Sequence, residues 1–376
     1  MSEAPRIALI GAGGHGLWHR RHIAPLHDAG RLSLVALCDV QPIPAADGAP
    51  IPPGCGTFTD HREMLRQARP DVVVICTPPP SHLPIAVDVV HAGADLLLEK
   101  PPVLSLAEHR ALARALAETG RACQVGFQAL GSAALAELRQ AMVDGRLGTV
   151  TGVSAAAAWQ RTDGYWTRAP WAGRRGLDGA LVNPLAHALM QALAVTDAAG
   201  GTLEVERYRV RGIEVEDTGC LRLTLPYGLS IMVAGTLCAE GFLPGDVTVH
   251  GTAGPAVLEY PTDRLRLPGQ DRAVAVPGRI GLLENLLEHR AAPAAVPLLA
   301  PLARTAPFTA VVEALLAAPP PADLDPAFLS RLDGGLVAIR GIDAVVREAA
   351  DRRMLFSELG VPWAHRPHRT TVGGSP

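Results

Sequence analysis

The first half of the chain alternates short apolar runs with stretches of helical periodicity. Five apolar runs have the length and composition of buried strands, at 5–10, 32–39, 71–77, 94–100 and 122–127. Helical patterns separate or follow them, at 17–30, 60–69, 82–92, 105–119 and 133–144. This alternation predicts a parallel sheet with helices on both faces.

The pattern changes after residue 149, where strand-like segments predominate. Several of them alternate apolar and polar residues, as antiparallel strands buried on one face do, at 149–158, 203–212, 219–228, 229–238, 246–252 and 256–261. A turn at Pro226-Tyr227-Gly228 predicts a hairpin. Helices are expected at 177–195 and 334–353, and a loosely ordered tail at 363–376. We therefore expect a second α/β domain built on a large, mostly antiparallel sheet.

Composition narrows the class of protein. Of 376 residues, 48% are apolar and 19% charged, and the net charge is −3, which argues against disorder and against a basic surface for nucleic acid or anionic membranes. No apolar run reaches the ~18 residues of a membrane span. The opening MSEAPRIALI leads directly into a strand without a signal peptide, and the six cysteines are scattered. These features predict a cytoplasmic protein.

The sequence GAGGHG at 11–16 follows the first strand and precedes a helix. In a dinucleotide-binding Rossmann domain, Gly11 would permit the tight turn, Gly13 the approach of a pyrophosphate, and Gly16 close packing of helix on strand. Asp39 ends the second strand, at the distance expected of an acid that binds the adenosine ribose. A carboxylate there repels a 2′-phosphate, so NAD is favoured over NADP. An ordinary glycine turn and a strand-end acid are the alternatives.

Two further segments follow strands at the edge where ligands bind in open parallel sheets. TPPPSH at 77–82 follows the third strand, and EKP at 99–101 follows the fourth. Lys100 at this edge is positioned to donate to a substrate oxygen beside a nicotinamide. The alternative is a solvated surface lysine.

The helix expected at 177–195 carries Asn183 and His187, which are four residues apart and would share a face. His187 is a candidate general base, or else a structural histidine. Pro184 favours the first helical position and would place Asn183 at the N-cap, where it either lines the site or only caps the helix.

The segment WQRTDGYWTRAPWAG at 159–173 concentrates aromatic residues in a chain with few of them. It is either a core patch or a surface that stacks on a sugar ring. The histidines at 15, 19 and 22 are unevenly spaced, and further ligands are not evident, so no metal site is predicted.

Together these segments resemble the glucose–fructose oxidoreductase, inositol dehydrogenase and rhizopine-catabolism (Gfo/Idh/MocA) family. EDT at 216–218, HGTAG at 250–254 and LFSELGVPWA at 355–364 extend the resemblance over nearly the whole chain. It implies a Rossmann domain over 1–127, an α/β substrate and oligomerisation domain with a large open sheet over 128–330, and a C-terminal helix and tail over 331–376. It also implies bound NAD, a sugar, inositol or related cyclic polyol as substrate, and a homo-oligomer.

The resemblance extends to individual residues. Lys100 matches the family's EKP lysine and His187 its catalytic histidine, whereas Asn183 stands where many members have Asp. The expected catalytic set is Lys100, His187 and Asn183. The expected cofactor-binding set is Gly11, Gly13, Gly14, His15, Gly16, Asp39, Thr77, Pro78, His82, Glu99, Lys100 and Gln128. The expected substrate-binding set is Lys100, Trp159, Tyr165, Arg168, Trp171, Asn183 and His187.

The leading hypothesis is an NAD-dependent dehydrogenase that transfers a hydride between the nicotinamide and a substrate hydroxyl or carbonyl. A second is a redox-neutral glycosidase or lyase that oxidises a ring hydroxyl only transiently. A third is a non-catalytic NAD-binding protein. Net formation of NADH separates the first from the second, and any turnover separates both from the third.

Overall fold

A computed structural model describes residues 4–373. The chain divides into two compact units: the first runs through Phe127 and includes Gly281–Thr305, and the second comprises Gln128–Ile280 and the residues from Ala306 onward. The division expected from the sequence assigned 281–305 to the second domain and set 331–376 apart. Among residues 4–373, no helix combines the length and apolar character needed to span a membrane.

The first unit is built on six parallel strands in the order β3-β2-β1-β4-β5-β6. They are β1 Arg6–Ile10, β2 Ser33–Cys38, β3 Gly56–Phe58, β4 Val72–Ile75, β5 Asp95–Leu98 and β6 Cys123–Val125. The helices between them are α1 Gly16–Asp28, α2 His61–Ala68, α3 His82–His91 and α4 Leu106–Thr119. The predicted parallel sheet is confirmed. The short β3 was not predicted.

Local sequence explains where α4 begins and ends. The Ser105 hydroxyl accepts a hydrogen bond from the Glu108 amide at 3.2 Å, as the Ser-x-x-Glu pattern predicts. The helix ends at Gly120, whose φ of +65° is the left-handed conformation common after helix C-termini.

The first unit is completed by a helix from much later in the chain, α8 Leu282–Ala291. Its Arg290 guanidinium contacts the Asp95 carboxylate at 2.6 Å and the Asp71 carboxylate at 2.7 Å. Asn285 accepts a hydrogen bond from the buried Gln124 side chain of β6 at 2.6 Å. Sequence analysis did not predict this helix.

The second unit is built on a large mixed sheet in the order β14-β13-β12-β11-β7-β10-β9-β8-β15, with β18 also paired to β8. Its strands are β7 Val150–Gln160, β8 Gly201–Arg209, β9 Thr218–Thr224, β10 Ser230–Thr236, β11 Cys238–Gly251, β12 Gly254–Glu259, β13 Arg264–Arg266, β14 Val274–Ala275, β15 Ala322–Asp323 and β18 His368–Val372. A separate hairpin is formed by β16 Leu329–Arg331 and β17 Val337–Ile339. The predicted hairpin is confirmed, since β9 and β10 pair antiparallel, although β10 also pairs parallel to β7.

Helices cover both faces of the central strands in this sheet. The helices of the second unit are α5 Ala133–Val143, α6 Asp163–Trp166, α7 Ala186–Thr196, α9 Ala306–Ala317 and α10 Ile342–Arg352. Side chains alternate across each strand. On one face Gly235 of β10 leaves room for Leu185, just before α7. On the other face, Met232 packs in one buried cluster with Ile342 and Val346 of α10.

Three boundaries expected from the sequence are wrong. The helix expected at 177–195 begins only at Ala186, after a series of turns. The helix expected at 334–353 begins at Ile342, because β17 occupies the residues before Gly341. The tail expected to be loose contains β18, which pairs with β8 from His368 to Val372. In addition, β9 and β10 are buried on both faces, because α10 covers the face that the alternating pattern left to solvent.

Candidate functional site

The glycine loop connects β1 to α1. Gly11 has a φ of +84°, and a Cβ there would lie 2.5 Å from the Cys76 carbonyl oxygen, so only glycine fits. The Gly13 amide donates to the Asp39 carboxylate at 2.9 Å, and α1 begins at Gly16. The amides at the start of α1 and the bare backbone of the loop form a cradle that suits a pyrophosphate.

Asp39 lies at the end of β2 and is half-buried. One carboxylate oxygen accepts from Gly13, and the other accepts from the Gln41 amide at 2.9 Å. Each oxygen has a second lone pair, so the carboxylate can also accept hydrogen bonds from two ribose hydroxyls. These residues therefore fit an NAD adenosine.

His82 ties together the loops that follow β4 and β5. Its Nδ1 lies 2.9 Å from the Pro101 carbonyl oxygen and its Nε2 lies 2.8 Å from the Thr77 carbonyl oxygen. The ring is buried, and burial lowers its pKa, although both carbonyls oppose that shift. Ser81 donates to the Thr77 hydroxyl at 2.8 Å, and its amide donates to the Pro78 carbonyl. Both ring nitrogens of His82 thus face the protein backbone, which fixes the shape of these loops.

Glu99 directly follows β5 and carries a negative charge at the edge of the sheet where the parallel strands end. Its Oε1 lies 2.9 Å from Nε2 of His19 on α1, and its Oε2 accepts from the Lys100 amide at 3.0 Å. Burial would raise the pKa of Glu99, but the His19 hydrogen bond and the positive charges of His19, Lys100 and His15 outweigh it and lower the pKa to about 2. Glu99 is therefore a permanent carboxylate beside Lys100.

Asn183 is joined to a buried carboxylate in the second unit. Its Nδ2 donates to Oδ1 of Asp178 at 3.2 Å, and Asp178 is 1% exposed. The other oxygen of Asp178 accepts from the Gly173 amide at 2.9 Å and lies 3.7 Å from the Arg168 guanidinium. Because Leu185 is the N-cap of α7, the expectation that Asn183 occupies that position is wrong.

The predicted substrate-binding aromatic residues form one stacked group. The Arg168 guanidinium lies 3.8 Å from the centre of the Tyr165 ring and 4.8 Å from that of Trp171. The Arg161 guanidinium lies 5.5 Å from the Tyr165 ring and 5.3 Å from the Trp159 ring. Burial raises the pKa of Tyr165 to about 12, against the opposing charges of both arginines, so its phenol stays protonated. The group presents two cations and several ring faces.

The remaining predicted site residues lie on different units. Lys100 is half-buried after β5 in the first unit, whereas His187 is the second residue of α7 in the second unit and is half-buried. Gln128 is exposed and begins the second unit. The joint action of Lys100 and His187 stays a prediction.

Sequence reasoning missed three residues that the structure adds to these groups. His19 was dismissed for its uneven spacing, Arg161 stands among many arginines, and Asp178 belongs to no motif. The one usable signal was that His19 of α1 lies four residues after His15, the residue that precedes this helix. This spacing places both side chains on one side of the helix.

Comparison with known proteins gives matches over both units. The model of an oxidoreductase family with an NAD-binding Rossmann fold matches residues 5–127, and that of the Gfo/Idh/MocA C-terminal domain matches 135–257. An inositol 2-dehydrogenase of Rubrobacter xylanophilus is 29% identical over 148 residues, 39% of this chain and 42% of that protein. A glycosyl hydrolase family 109 protein of Akkermansia muciniphila is 26% identical over 132 residues, 32% of this chain and 26% of that protein.

Similarity to solved structures extends further along the chain. The WlbA dehydrogenase of Bordetella pertussis, in complex with NADH and UDP-GlcNAcA, superimposes with a TM-score of 0.70 and 25% identity, over 83% of this chain and 95% of that one. By contrast, the sequence match spans only about two fifths of the inositol 2-dehydrogenase. With matches to the models of both its domains and the fold of a solved dehydrogenase, the chain belongs to the Gfo/Idh/MocA family of NAD-binding oxidoreductases.

Proposed function

We propose that this protein is an NAD-dependent dehydrogenase or reductase that acts on a CH–OH group of a sugar, inositol or related cyclic polyol. The observation that carries the proposal is the strand edge of the first unit. There the Gly13 amide of the glycine loop donates a hydrogen bond to the Asp39 carboxylate. Lys100 follows β5 and lies beside the ionised Glu99. This arrangement supports a dinucleotide and a proton-donating cation at the same sheet edge.

Gly11, Gly13 and Asp39 would hold NAD, which when bound accepts or donates the hydride. Lys100 would donate a hydrogen bond to the reacting substrate oxygen. His187 would take the hydroxyl proton during oxidation and return it during reduction. Glu99 would keep Lys100 in place because its carboxylate accepts a hydrogen bond from the Lys100 backbone amide.

The arginine–aromatic group supports a ring-shaped, polar substrate. Apolar ring faces bind the C–H faces of a sugar, while guanidinium groups donate to hydroxyl or acidic oxygens. Trp159, Tyr165, Arg168 and Trp171 are proposed to form this surface, and Asn183 to contribute beside it.

The test is a panel of sugars, sugar acids and inositols, each offered with NAD and with NADP while the absorbance of the reduced cofactor is followed. Turnover of at least one polyol with NAD is the expected result. NAD binding without turnover of any compound in either direction would contradict the proposed activity.

Replacing His187 tests its role as base. General acid–base catalysis contributes roughly 10²–10⁴-fold, so His187→Ala should lower turnover by about that factor while leaving NAD affinity unchanged. His365→Ala removes an exposed imidazole of the same unit and serves as the control. Full activity in His187→Ala, with chemistry rate-limiting, would remove His187 from the mechanism.

A second candidate is redox-neutral cleavage of a glycoside, supported by the similarity to a glycosyl hydrolase family 109 protein. Chromogenic glycosides added to the same panel distinguish the two activities. Release of the aglycone without accumulation of NADH would favour cleavage, whereas NADH accumulation favours the dehydrogenase.

We further propose a cytoplasmic location and a homo-oligomer, either a dimer or a tetramer. All six cysteines carry free thiols, as expected in a reducing compartment. Because α7 and α10 cover the central strands, an interface on the sheet would use its exposed part, where Phe242 of β11 is 71% exposed and Val274 of β14 is 47% exposed. Light scattering on the purified protein measures the assembly size.

A further inference from the structure

Three side chains that bind transition metals in many proteins meet beside the glycine loop. They are His15, the last residue before α1, His19 in the first turns of α1, and Cys76, which directly follows β4. Their ring nitrogens and sulfur all lie within 4.8 Å of one another. We call these three residues the His–Cys cluster.

Glu99 adds an oxygen ligand to the same place. Its Oε1 lies 2.9 Å from His19 Nε2 and 3.9 Å from His15 Nε2. Two imidazoles, a thiol and a carboxylate form a donor set that Zn²⁺ accepts in tetrahedral sites, whereas Mg²⁺ and Ca²⁺ prefer oxygen ligands alone. The chemistry therefore selects a zinc-like cation.

The geometry requires only a small adjustment. With Zn–N near ~2.0 Å and Zn–S near ~2.3 Å, tetrahedral nitrogen and sulfur ligands lie about 3.3–3.5 Å apart. The ligand atoms of the His–Cys cluster lie up to 4.8 Å apart, so the widest pair must close by up to roughly 1.5 Å. The His15 side chain is 61% exposed and is held mainly by ring contacts with Trp18 and His19, so it can move toward the cation. The side chains of His19 and Glu99 are 6% and 10% exposed and are hydrogen-bonded to each other. The exposed His15 also provides the route of entry.

We propose that the His–Cys cluster, together with Glu99, binds one zinc-class divalent cation in the nucleotide-free protein, and that this cation competes with NAD. The metal–sulfur bond forms as the Cys76 thiol proton leaves to solvent. The proton of the His19–Glu99 hydrogen bond also leaves to solvent, which frees His19 Nε2 to bind the cation, and no oxidation or reduction is involved. Competition follows from position, because His15 belongs to the loop proposed to hold the pyrophosphate. Only this competition depends on the proposed function.

The experiment uses the full-length protein after treatment with a chelator and removal of nucleotide. Zn²⁺ is titrated against a chromophoric chelator, and Co²⁺ is used to observe thiolate charge-transfer absorption. We expect one equivalent bound, with a Co²⁺–thiolate band that Cys76→Ser abolishes. His15→Ala and Cys76→Ser should each weaken Zn²⁺ binding at least tenfold.

Two control variants remove similar groups outside the cluster. His22→Ala removes an exposed imidazole of α1, and Cys55→Ser removes a thiol that bonds only weakly to a backbone carbonyl. Both should bind Zn²⁺ as the parent protein does. Absence of a bound equivalent, or equal affinity in the parent, His15→Ala and Cys76→Ser proteins, would overturn the metal site.

Competition is measured by repeating the Zn²⁺ titration at rising NADH concentration. The apparent Zn²⁺ affinity should fall in proportion to NADH occupancy. Simultaneous saturation with both ligands would overturn the competition while leaving the site. If NADH does not bind at all, the proposed function fails, and the metal titration alone still decides the metal site.

Discussion

Replacing Asp39 tests how this protein selects its cofactor. Each hydrogen bond from a ribose hydroxyl to a carboxylate contributes about 1.5–3 kcal/mol, so losing one should weaken NADH binding about 10- to 150-fold. A 2′-phosphate placed ~4 Å from the Asp39 charge would be repelled by roughly 4 kcal/mol at an effective dielectric constant near 20. Asp39→Ala removes both effects, so its preference for NADH over NADPH should collapse.

The structure provides a finer comparison at the same position. The Asp39 carboxylate also accepts hydrogen bonds from the backbone amides of Gly13 and Gln41. Asp39→Ala therefore loosens the glycine loop as well as removing the charge. Asp39→Asn removes the charge and keeps one acceptor oxygen for these amides, while an NH₂ group replaces the other oxygen. It should relieve most of the penalty against NADPH while losing less affinity for NADH.

Fluorescence titration with NADH and NADPH measures both dissociation constants for each variant. Asp28→Asn, an exposed charge change at the end of α1, is the matched control and should bind as the parent protein does. A parent protein that prefers NADPH tenfold or more would refute the reasoning, as would an unchanged NADH-to-NADPH ratio in Asp39→Ala.

Two further predictions concern the second unit. Asn183→Asp places a second carboxylate beside that of Asp178, so the free energy of unfolding measured in urea should fall by about 3–5 kcal/mol at neutral pH. The double variant Asp178→Asn/Asn183→Asp exchanges the two side chains and should recover most of that loss. Unchanged stability in the single variant would contradict this contact. Burial, aided by the charge of Arg353, lowers the pKa of His250 from 6.5 to about 4. The folded protein therefore favours the neutral imidazole, and the stability that depends on it is complete above pH 6.5 and is lost as the pH falls toward 4. Between pH 8 and pH 5 this amounts to at most about 2 kcal/mol, and solvent screening of the half-buried imidazole reduces it. His250→Gln should abolish this pH dependence in paired urea titrations; equal acid sensitivity in both proteins would exclude His250 as the cause.

The sequence predicted what depends on local pattern. The parallel sheet of the first unit followed from apolar runs alternating with helical periodicity, and the β9–β10 hairpin from its turn residues. The α4 boundaries followed from Ser105 and Gly120. Each of these signals lies within a few neighbouring residues.

What the sequence did not predict depends on contacts between distant segments. Arg290 meets Asp95 only because a segment from much later in the chain returns to the first unit, and Cys76 meets His19 only through adjacent strand ends. The strand β18 forms because β8 offers an open edge, although its own residues are largely polar. Such long-range pairings leave no periodic trace in a single sequence.

The return of Gly281–Thr305 to the first unit affects how the protein is made. A ribosome synthesises the first six strands long before it reaches Arg290. Until then, the carboxylates of Asp71 and Asp95 lack their ion pairs with Arg290. The second sheet must begin to emerge before the first unit can close. A shortened chain that stops after Phe127 would therefore be an unfinished domain, and a fragment able to bind nucleotide on its own would need α8 restored by fusion or added in trans.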